Sequence, residues 1–253
     1  MIYYNKNGEE NTIVLLHGFC ENNTCFNQQV FFLQQYFCVI TPDLPGFGNS
    51  EAIDNTSIEG MADEVFQILS KEKISSCVML GHSMGGYVTL AFAKKYPHLL
   101  KGFGLIHSTA FGDNDERKIK RDQAIHVIEE KGSDFYVENF IRQLFSSSFH
   151  DKKIIDEMVN EGKRTSIKGL SEAIKAMKSR PDSVSFLKET NLPVLFIAGK
   201  NDSIIPENAI FYQASLCKQS EIIYLKKSAH MGFIEESDKC TKSIYNFMLA
   251  LKL

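Results

Sequence analysis

The 253-residue chain is long enough to bury a sizeable core, and α/β proteins of this length often fold as one domain, which we expect over residues 1–253. Lys and Arg number 28 and Asp and Glu number 31, a net charge of −3 without a basic tract, so no nucleic-acid partner is expected. No apolar run reaches the roughly 20 residues of a membrane span. Six scattered cysteines and a start unlike a secretory signal favour free thiols and a cytoplasmic location.

Short apolar segments bounded by Gly, Pro, Asp or Asn recur along the chain and predict β-strands. Near-continuous apolar strands suit a parallel sheet that is buried on both faces. The expected fold class is therefore α/β, with a mostly parallel central sheet covered by helices on both sides. The predicted strands are 12–17, 37–42, 77–81, 102–107, 194–199 and 221–225.

Two apolar stripes at helical spacing predict helices that pack on this sheet. The first begins at Ile58, and Thr56 with Glu59 predicts a capping box for it. The second closes the chain, with Ser237 as its predicted cap. The first stripe comprises Ile58, Met61, Ala62, Val65, Ile68 and Leu69, and the second Ile244, Phe247, Met248 and Leu251.

The alternation of strands and helices breaks over residues 109–189, which carry helical patterns without a good strand candidate. This pattern predicts a helical cap inserted within the domain, and long insertions of this kind often lie over active sites. The charge-dense segment 113–122 predicts a solvated helix face. A helical stripe comprises Val137, Phe140, Ile141 and Leu144; the aromatic residues, expected chiefly in the core of the cap with some facing an apolar pocket, are Phe135, Tyr136, Phe140, Phe145 and Phe149.

Residues 81–85, "GHSMG", match the G-x-S-x-G pattern and lie between a predicted strand and a predicted helix. A serine on so sharp a turn has a strained backbone, and its neighbours must be small to avoid the facing strand and helix. Gly81, Gly85 and Gly86 meet that requirement. The motif predicts that Ser83 is a nucleophile rather than a small residue in a tight turn.

A serine hydroxyl needs a base and an orienting carboxylate before it becomes a good nucleophile. Asp202 follows the predicted strand 194–199, and His230 follows the strand 221–225. Parallel strands end at one edge of a sheet, so both side chains are expected near Ser83. The other position for an acid, after strand 102–107, has no carboxylate before Asp113. The predicted catalytic residues are therefore Ser83, Asp202 and His230.

Two backbone N–H groups are candidates for an oxyanion hole. Met84 begins the helix after Ser83, and its N–H is expected to point at a developing oxyanion. The second donor is expected from an early strand-to-helix loop, where His17 and Gly18 precede the N–H of Phe19. The predicted oxyanion donors are therefore Phe19 and Met84.

The order of these motifs resembles the α/β-hydrolase fold family over nearly the whole chain. The motifs are "LLHGF", "TPDLPGFGNS", "GHSMGG", "LPVLFIAGKNDSIIP" and "SAHMGFIEE". The resemblance implies that the insertion is the helical cap of that family. The stretch from Ala173 to Asp202 is further similar to esterases and lactonases of the 3-oxoadipate enol-lactonase and haloperoxidase type.

The departures from the family pattern leave the catalytic groups in place. Ala229 stands where many relatives have Gly before the histidine, and the short segment before "LLHG" leaves room only for a short leading strand, or none. Ser rather than Asp at position 83 argues against the dehalogenase and epoxide-hydrolase branches, which need a carboxylate nucleophile. The resemblance therefore favours acyl transfer.

Other candidate motifs are interpreted as structural. Asp43 lies in a Pro- and Gly-rich loop and is expected to accept hydrogen bonds from backbone amides. His17 and His82 are expected to orient their loops rather than transfer protons. Gly46-x-Gly48 is too short for a dinucleotide fingerprint, and neither the cysteines nor the histidines have zinc-site spacing, so no cofactor and no metal are expected.

These residues together predict a serine hydrolase that cleaves carboxylic esters of small to medium, mainly apolar molecules through an acyl-enzyme. The same three catalytic residues can serve lactone, thioester, amide or C–C bond cleavage, and the sequence does not choose among these reactions. A hydrolase-derived receptor that binds a ligand without turnover is the alternative outside enzymes.

Overall fold

A seven-stranded sheet forms the centre of the protein in the computed structural model, which describes residues 1–251. The strand order is β1-β3-β2-β4-β5-β6-β7, and only β1 runs antiparallel to its neighbour. The strands are β1 (Tyr4–Asn7), β2 (Thr12–Leu16), β3 (Cys38–Pro42), β4 (Cys77–His82), β5 (Leu100–Ile106), β6 (Val194–Gly199) and β7 (Ser220–Leu225).

The six strands predicted from apolar runs are all present, within two residues of their predicted ends. Strands β2, β3, β4 and β6 are buried at every position, as expected for a sheet covered on both faces. The short leading strand is also present, because the polar segment Tyr4–Asn7 pairs with β3 at the edge of the sheet. An edge strand with one neighbour needs no apolar run, so its sequence carries no strand signal.

Helices flank the sheet and also form the segment between β5 and β6. The helices outside that segment are α1 (Asn27–Leu33), α2 (Ile58–Lys71), α3 (Met84–Lys95), α9 (Glu207–Leu216), α10 (Gly232–Glu235) and α11 (Ser237–Ala250). The inserted helices are α4 (Asp115–Lys131), α5 (Ser133–Leu144), α6 (Lys152–Lys163), α7 (Ile167–Ser179) and α8 (Val184–Glu189).

Both predicted helix caps are wrong, although both helices are present. Ser57, not Thr56, precedes α2 with extended backbone angles, and its Oγ accepts a hydrogen bond of 3.0 Å from the Gly60 N–H. Ser237 lies inside the first turn of α11. Its Oγ accepts from the Gln29 side chain at 3.0 Å instead of capping the helix. Local sequence therefore located both helices but not the residues that precede and cap them.

The inserted helices pack against one another, a buried ion pair joins the two ends of the insertion, and its arginine contacts α3. On α5, Val137, Ile141 and Leu144 are buried as predicted. The predicted solvated face is found on α4, in which only Ile128 is buried. Asp113, just before α4, is instead buried, with its carboxylate 2.9 Å from the Arg180 guanidinium. That guanidinium also lies 3.8 Å from the centre of the Tyr87 ring on α3.

Two further findings concern the six cysteines and the search for a membrane-spanning helix. All six cysteines are free thiols, and burial raises the pKa of Cys20, Cys77 and Cys240 above the usual thiol value. Within residues 1–251, no helix combines the length and the apolar character that crossing a bilayer requires.

Candidate active site

The parallel strands bring the predicted site residues to one edge of the sheet. Phe19 follows β2, Ser83 follows β4, Asp202 follows β6 and His230 follows β7. The carboxyl ends of parallel strands lie side by side, and ligands of α/β sheets bind at this edge. His107, which directly follows β5, completes the row.

Ser83 occupies the sharp turn between β4 and α3 that its sequence predicts. Its backbone angles are φ 49° and ψ −112°, a strained conformation for a residue with a side chain. The Ser83 N–H donates to the Ile106 carbonyl at 2.9 Å, and the Ser83 carbonyl accepts from the Ser108 hydroxyl at 2.6 Å. These two hydrogen bonds to the neighbouring strand and its loop hold the strained turn in place.

The glycines around Ser83 are required by close backbone approaches, as predicted. A Cβ atom on Gly81 would collide with the Gly85 carbonyl across the turn. A Cβ atom on Gly85 would collide with the carbonyls of Leu16 and His17 at the end of β2. The turn therefore closes tightly against both its own helix and the neighbouring strand.

Ser83, His230 and Asp202 form a continuous hydrogen-bonded chain. The Ser83 Oγ lies 3.0 Å from the His230 Nε2, and the His230 Nδ1 lies 2.9 Å from the Asp202 Oδ2. His230 and Asp202 are buried, whereas Ser83 is half-buried. The distances lie within the range for a base that takes a proton from a nucleophile and is oriented by a carboxylate.

The Asp202 carboxylate is held in its ionised form by four donors. Its Oδ1 accepts from the backbone N–H groups of Ile204 and Ile205, both at 2.9 Å. Its Oδ2 accepts from His230 and from His107, at 2.9 and 3.0 Å. Burial alone would raise the pKa of Asp202, but the charge of His230 and the hydrogen bonds from both histidines hold it well below its usual value.

The two predicted oxyanion donors lie on the turns that follow β2 and β4. Met84 is the first residue of α3, and the first N–H of a helix has no acceptor in a preceding turn. The Phe19 N–H donates to no acceptor among residues 1–251. Gly18 packs directly against the His82 side chain, which brings the loop of Phe19 beside the turn of Ser83.

A second buried ion pair, between Glu21 and His82, lies behind these turns. The His82 Nδ1 is 3.0 Å from the Glu21 carboxylate, and the His82 Nε2 donates to the His230 carbonyl at 3.0 Å. Glu21 also accepts from the Gly18 N–H at 2.7 Å. Burial opposes charge on both groups, but their attraction lowers the pKa of Glu21 and raises the pKa of His82. Both ring nitrogens of His82 face acceptors, so the ring is an imidazolium.

His17 and Asp43 have structural contacts. The His17 Nε2 accepts from the Leu44 N–H at 2.8 Å, and its Nδ1 donates to the Gly18 carbonyl at 2.7 Å. Asp43 accepts from the backbone N–H groups of Asn23 and Asn49, both at 2.8 Å, which confirms the prediction for this residue. Burial lowers the pKa of His17, so its ring is neutral, and its two hydrogen bonds hold the backbone at Gly18 and Leu44 in place.

Aromatic side chains of α5 cover the Phe19 loop. The Phe19 ring packs edge-on against the rings of Phe140 and Tyr136, at centroid distances of 5.5 and 6.3 Å. Of the other aromatic residues named from the sequence, Phe145 and Phe149 stack on each other, and Phe135 is exposed. Tyr136 and Phe140 thus lie beside the site, as expected for some of the set, whereas the expectation that Phe135 packs in the core of the inserted helices is wrong.

The inserted helices are also hydrogen-bonded to the loops that carry Asp202 and His230. The His230 N–H donates to the Leu144 carbonyl at the end of α5, at 3.0 Å. Glu235 accepts from the N–H groups of Ala229 and Ser146, both at 3.0 Å, and so joins the histidine loop to the insertion. On the other side, the Arg117 side chain donates to the Ile204 carbonyl at 2.7 Å.

The model of one protein family matches residues 8–237, most of the chain, and is described as serine aminopeptidase, S33. The chain belongs to this family of α/β-hydrolases. The curated relatives include the pimeloyl-[acyl-carrier protein] methyl ester esterase of Yersinia pseudotuberculosis. It is 26% identical over 242 residues, which cover 93% of this chain and 92% of that protein.

Solved structures of α/β-hydrolases superpose closely on this member of the S33 family. A thermophilic esterase from Thermogutta terrifontis has a TM-score of 0.95 at 28% identity, covering 99% of this chain and 93% of that one. An enol-lactonase from Burkholderia xenovorans has a TM-score of 0.90 at 21% identity, covering 98% and 96%, and shares the fold. The chain is thus an α/β-hydrolase enzyme, as its motifs predict.

Two buried residues of this S33-family site were not identified from the sequence. Glu21 and His107 have their side-chain partners 61 and 95 residues away in the chain, so no local motif connects them. The signal for His107 was its position directly after β5, between the strands that carry Ser83 and Asp202.

Among the described residues, His107, Asp202 and His230 form the one cluster with metal-ligand chemistry, with donor atoms within 4.8 Å of one another. The Nδ1 atoms of both histidines already hydrogen-bond to the Asp202 Oδ2. A cation on these atoms would have to replace both hydrogen bonds. The donor set is therefore used as a hydrogen-bonded chain rather than as an open metal site.

Proposed function

We propose that the protein is a serine hydrolase that cleaves carboxylic esters of small to medium, mainly apolar molecules through an acyl-enzyme intermediate. The observation that carries this proposal is the chain from the Ser83 Oγ through His230 to Asp202, with links of 3.0 and 2.9 Å. Nucleophile, base and orienting acid are the three groups that such acyl transfer requires.

In the proposed reaction, the Ser83 Oγ attacks the ester carbonyl carbon while the His230 Nε2 takes the hydroxyl proton. The N–H groups of Phe19 and Met84 donate to the resulting oxyanion, and each such donor contributes a factor of about 10²–10³ in rate. The His230 imidazolium then protonates the leaving alkoxide, which departs as the alcohol. Water adds to the acyl-enzyme with His230 as base, and the C–O bond to Ser83 breaks to release the acid and restore the hydroxyl.

We further propose that residues 109–189 form a cap on a single α/β-hydrolase domain and select the substrate. The hydrogen bond from His230 to Leu144 and the ring contacts of Phe19 with Tyr136 and Phe140 support this role. An aromatic wall beside the oxyanion loop favours an apolar acyl or alcohol group over a charged one.

The relatives support an ester rather than a peptide as substrate, although the family model is described as a serine aminopeptidase. The curated relative at 26% identity is named a methyl ester esterase, and the solved structure at 28% identity is an esterase.

We also propose a cytoplasmic location. The six free thiols support it, because a reducing compartment keeps cysteines unpaired.

A fluorophosphonate probe tests the nucleophile directly, because it phosphonylates an activated serine. We expect peptide mass spectrometry to find the label on Ser83, and Ser83→Ala to lose both labelling and ester hydrolysis while its circular dichroism is unchanged. Label on another residue, or none, would contradict the assignment of Ser83.

A panel of short and medium p-nitrophenyl esters, lactones, acyl thioesters and aminoacyl amides tests the substrate class. We expect the highest kcat/KM on uncharged esters, with a burst of p-nitrophenol where deacylation is slow. A higher kcat/KM on amides or lactones would overturn the ester assignment but not the nucleophile. Ligand binding without turnover would identify a receptor instead of an enzyme.

A further inference from the structure

His107 is a buried histidine beside the site, and the proposed reaction does not use it. It has no exposed surface and directly follows β5. Its backbone has a positive φ of 47°, and its N–H donates to the Ile197 carbonyl of β6 at 2.8 Å. Its side-chain Nδ1 lies 3.0 Å from the Asp202 Oδ2.

The surroundings of His107 fix both its charge and its tautomer. A carboxylate accepts hydrogen bonds only, so the Nδ1 that faces Asp202 carries the proton. The Nε2 is buried and has no partner among residues 1–251. The ring is packed so closely that a Cβ atom on Gly199 or on Gly232 would collide with it. Burial lowers the pKa of His107 to about 4, despite the hydrogen bond to Asp202, so the ring is neutral near pH 7.

This arrangement is costly for the fold. An unpaired buried ring nitrogen loses its hydrogen bond to water, and a positive φ is uncommon for a residue with a side chain. An apolar side chain at position 107 would avoid the first cost. Within residues 1–251, the one polar contact that the ring makes is the hydrogen bond to Asp202, so its cost is connected to the acid proposed to orient His230.

We propose that His107 is a positioning residue that donates a second hydrogen bond to Asp202 and thereby limits the stabilisation that Asp202 gives to the protonated His230. This inference rests on the proposed function of Ser83, His230 and Asp202. Both histidines donate to the same oxygen, Oδ2, so the negative charge on that atom is shared between a neutral donor and the base. The shared carboxylate still orients the base, but it holds the proton on His230 less strongly.

Other charged and titratable groups also face this pair and remain in place when His107 is changed. The His82 ring lies 5.0 Å from the His230 ring and 6.0 Å from the His107 ring, with its charge balanced by Glu21. Glu235 on α10 accepts from the N–H of Ala229, next to His230. These groups are the same in the wild type and in the variants at position 107. A difference in pH dependence between the wild type and a variant therefore reports on position 107.

The test compares the pH dependence of kcat/KM for His107→Leu and His107→Asn with that of the wild type. Leu removes the donor, and we expect the midpoint of the acid limb to move to higher pH by about 0.5–1 unit. Asn offers an amide N–H close to the position of the Nδ1 and tolerates positive φ, so its midpoint should lie near that of the wild type. A merely structural role for the ring would change stability and the activity plateau, but not the midpoint.

A measurement on the wild type keeps the inference falsifiable if the Leu variant does not fold. Nitrogen-15 NMR of histidine-labelled enzyme should find a neutral Nδ1–H tautomer for the His107 ring, assigned by its loss in His107→Asn. An Nε2–H tautomer, or equal acid limbs in the wild type and the Leu variant, would overturn the role of His107. Absence of fluorophosphonate label on Ser83 in the wild type would instead overturn the proposed function.

Discussion

The Nδ1 of His82 lies 3.0 Å from the carboxylate of Glu21, and neither side chain is exposed by more than 1%. This pair connects three separate loops. Glu21 accepts from Gly18 in the loop of Phe19, His82 immediately precedes Ser83, and the His82 ring donates to the His230 carbonyl. The loops of Ser83, of His230 and of Phe19 are thereby joined through a single ion pair.

Glu21→Gln should reduce both stability and activity. The change leaves the His82 imidazolium buried without a counter-charge, which typically costs about 3–5 kcal/mol. We expect that loss in the free energy of unfolding from urea titration, with a lower kcat even where the variant is fully folded. The matched control is Glu157→Gln on α6, which is exposed and should remain within about 0.5 kcal/mol of the wild type. Equal effects of the two changes would contradict a structural role for the pair.

The stability of the wild type should fall as the pH is lowered from about 6.5 to 4, in part because of His107. The pKa of His107 is about 4 in the folded protein and near 6.5 in the unfolded chain, so only the unfolded chain binds the proton in this range. The contribution of this ring is therefore complete above pH 6.5 and decreases by about 1.4 kcal/mol per pH unit below it. In urea titrations at pH 7, 6 and 5, the free energy of unfolding should depend less on pH for His107→Asn than for the wild type. Identical pH slopes for the two proteins would contradict the lowered pKa of His107.

Glu235→Ala should displace the loop of His230. The two carboxylate oxygens satisfy the N–H groups of Ala229 and Ser146, and removing them leaves two donors unpaired, at about 1–3 kcal/mol each. We expect a lower melting temperature and a lower kcat, with slower fluorophosphonate labelling of Ser83. Glu221→Ala, an exposed glutamate on β7, is the control and should leave the labelling rate unchanged. An unchanged labelling rate in Glu235→Ala would show that the tether does not position the base.

Gly85→Ala should disrupt the turn of Ser83 more than the bulk of one methyl group suggests. The added Cβ would collide with the backbone carbonyls of Leu16 and His17, which cannot rotate away, so we expect a loss of at least about 1–3 kcal/mol. Hydrolysis should fall sharply, because relief of the collision moves the loop of Phe19 away from Ser83. Gly60→Ala on α2, where the nearest atom belongs to a serine side chain, should stay within about 1 kcal/mol. Comparable melting temperatures for the two variants would contradict this account.

The strands and the turn of Ser83 could be predicted because their causes are local. Burial on both faces demands apolar runs, and the tight turn demands glycines at fixed offsets from Ser83. The cap of α2 was missed by one residue, because Thr56 and Ser57 are both able to cap and only the backbone path selects Ser57. A propensity that two neighbours share cannot distinguish them.

Glu21 and His107 could not be found in this way, because their roles depend on distant partners. His107 meets Asp202 across 95 residues, and nothing near His107 in the chain indicates a carboxylate. The topology of the sheet supplies that contact by placing the ends of β5 and β6 side by side. The order of Ser83, Asp202 and His230 along the chain could therefore be predicted from local motifs, whereas the long-range contacts of Glu21 and His107 could not.

The hydrogen bond of 3.0 Å from the His230 N–H to the Leu144 carbonyl bears on how this enzyme can be re-engineered. The inserted helices and His230, the proposed general base, are joined by this hydrogen bond, so the two are not structurally independent. We expect that a chimera carrying another insertion must keep a backbone carbonyl at the position of Leu144 to preserve the position of His230. Junctions are therefore better placed within α5, before Leu144, than at the ends of the insertion.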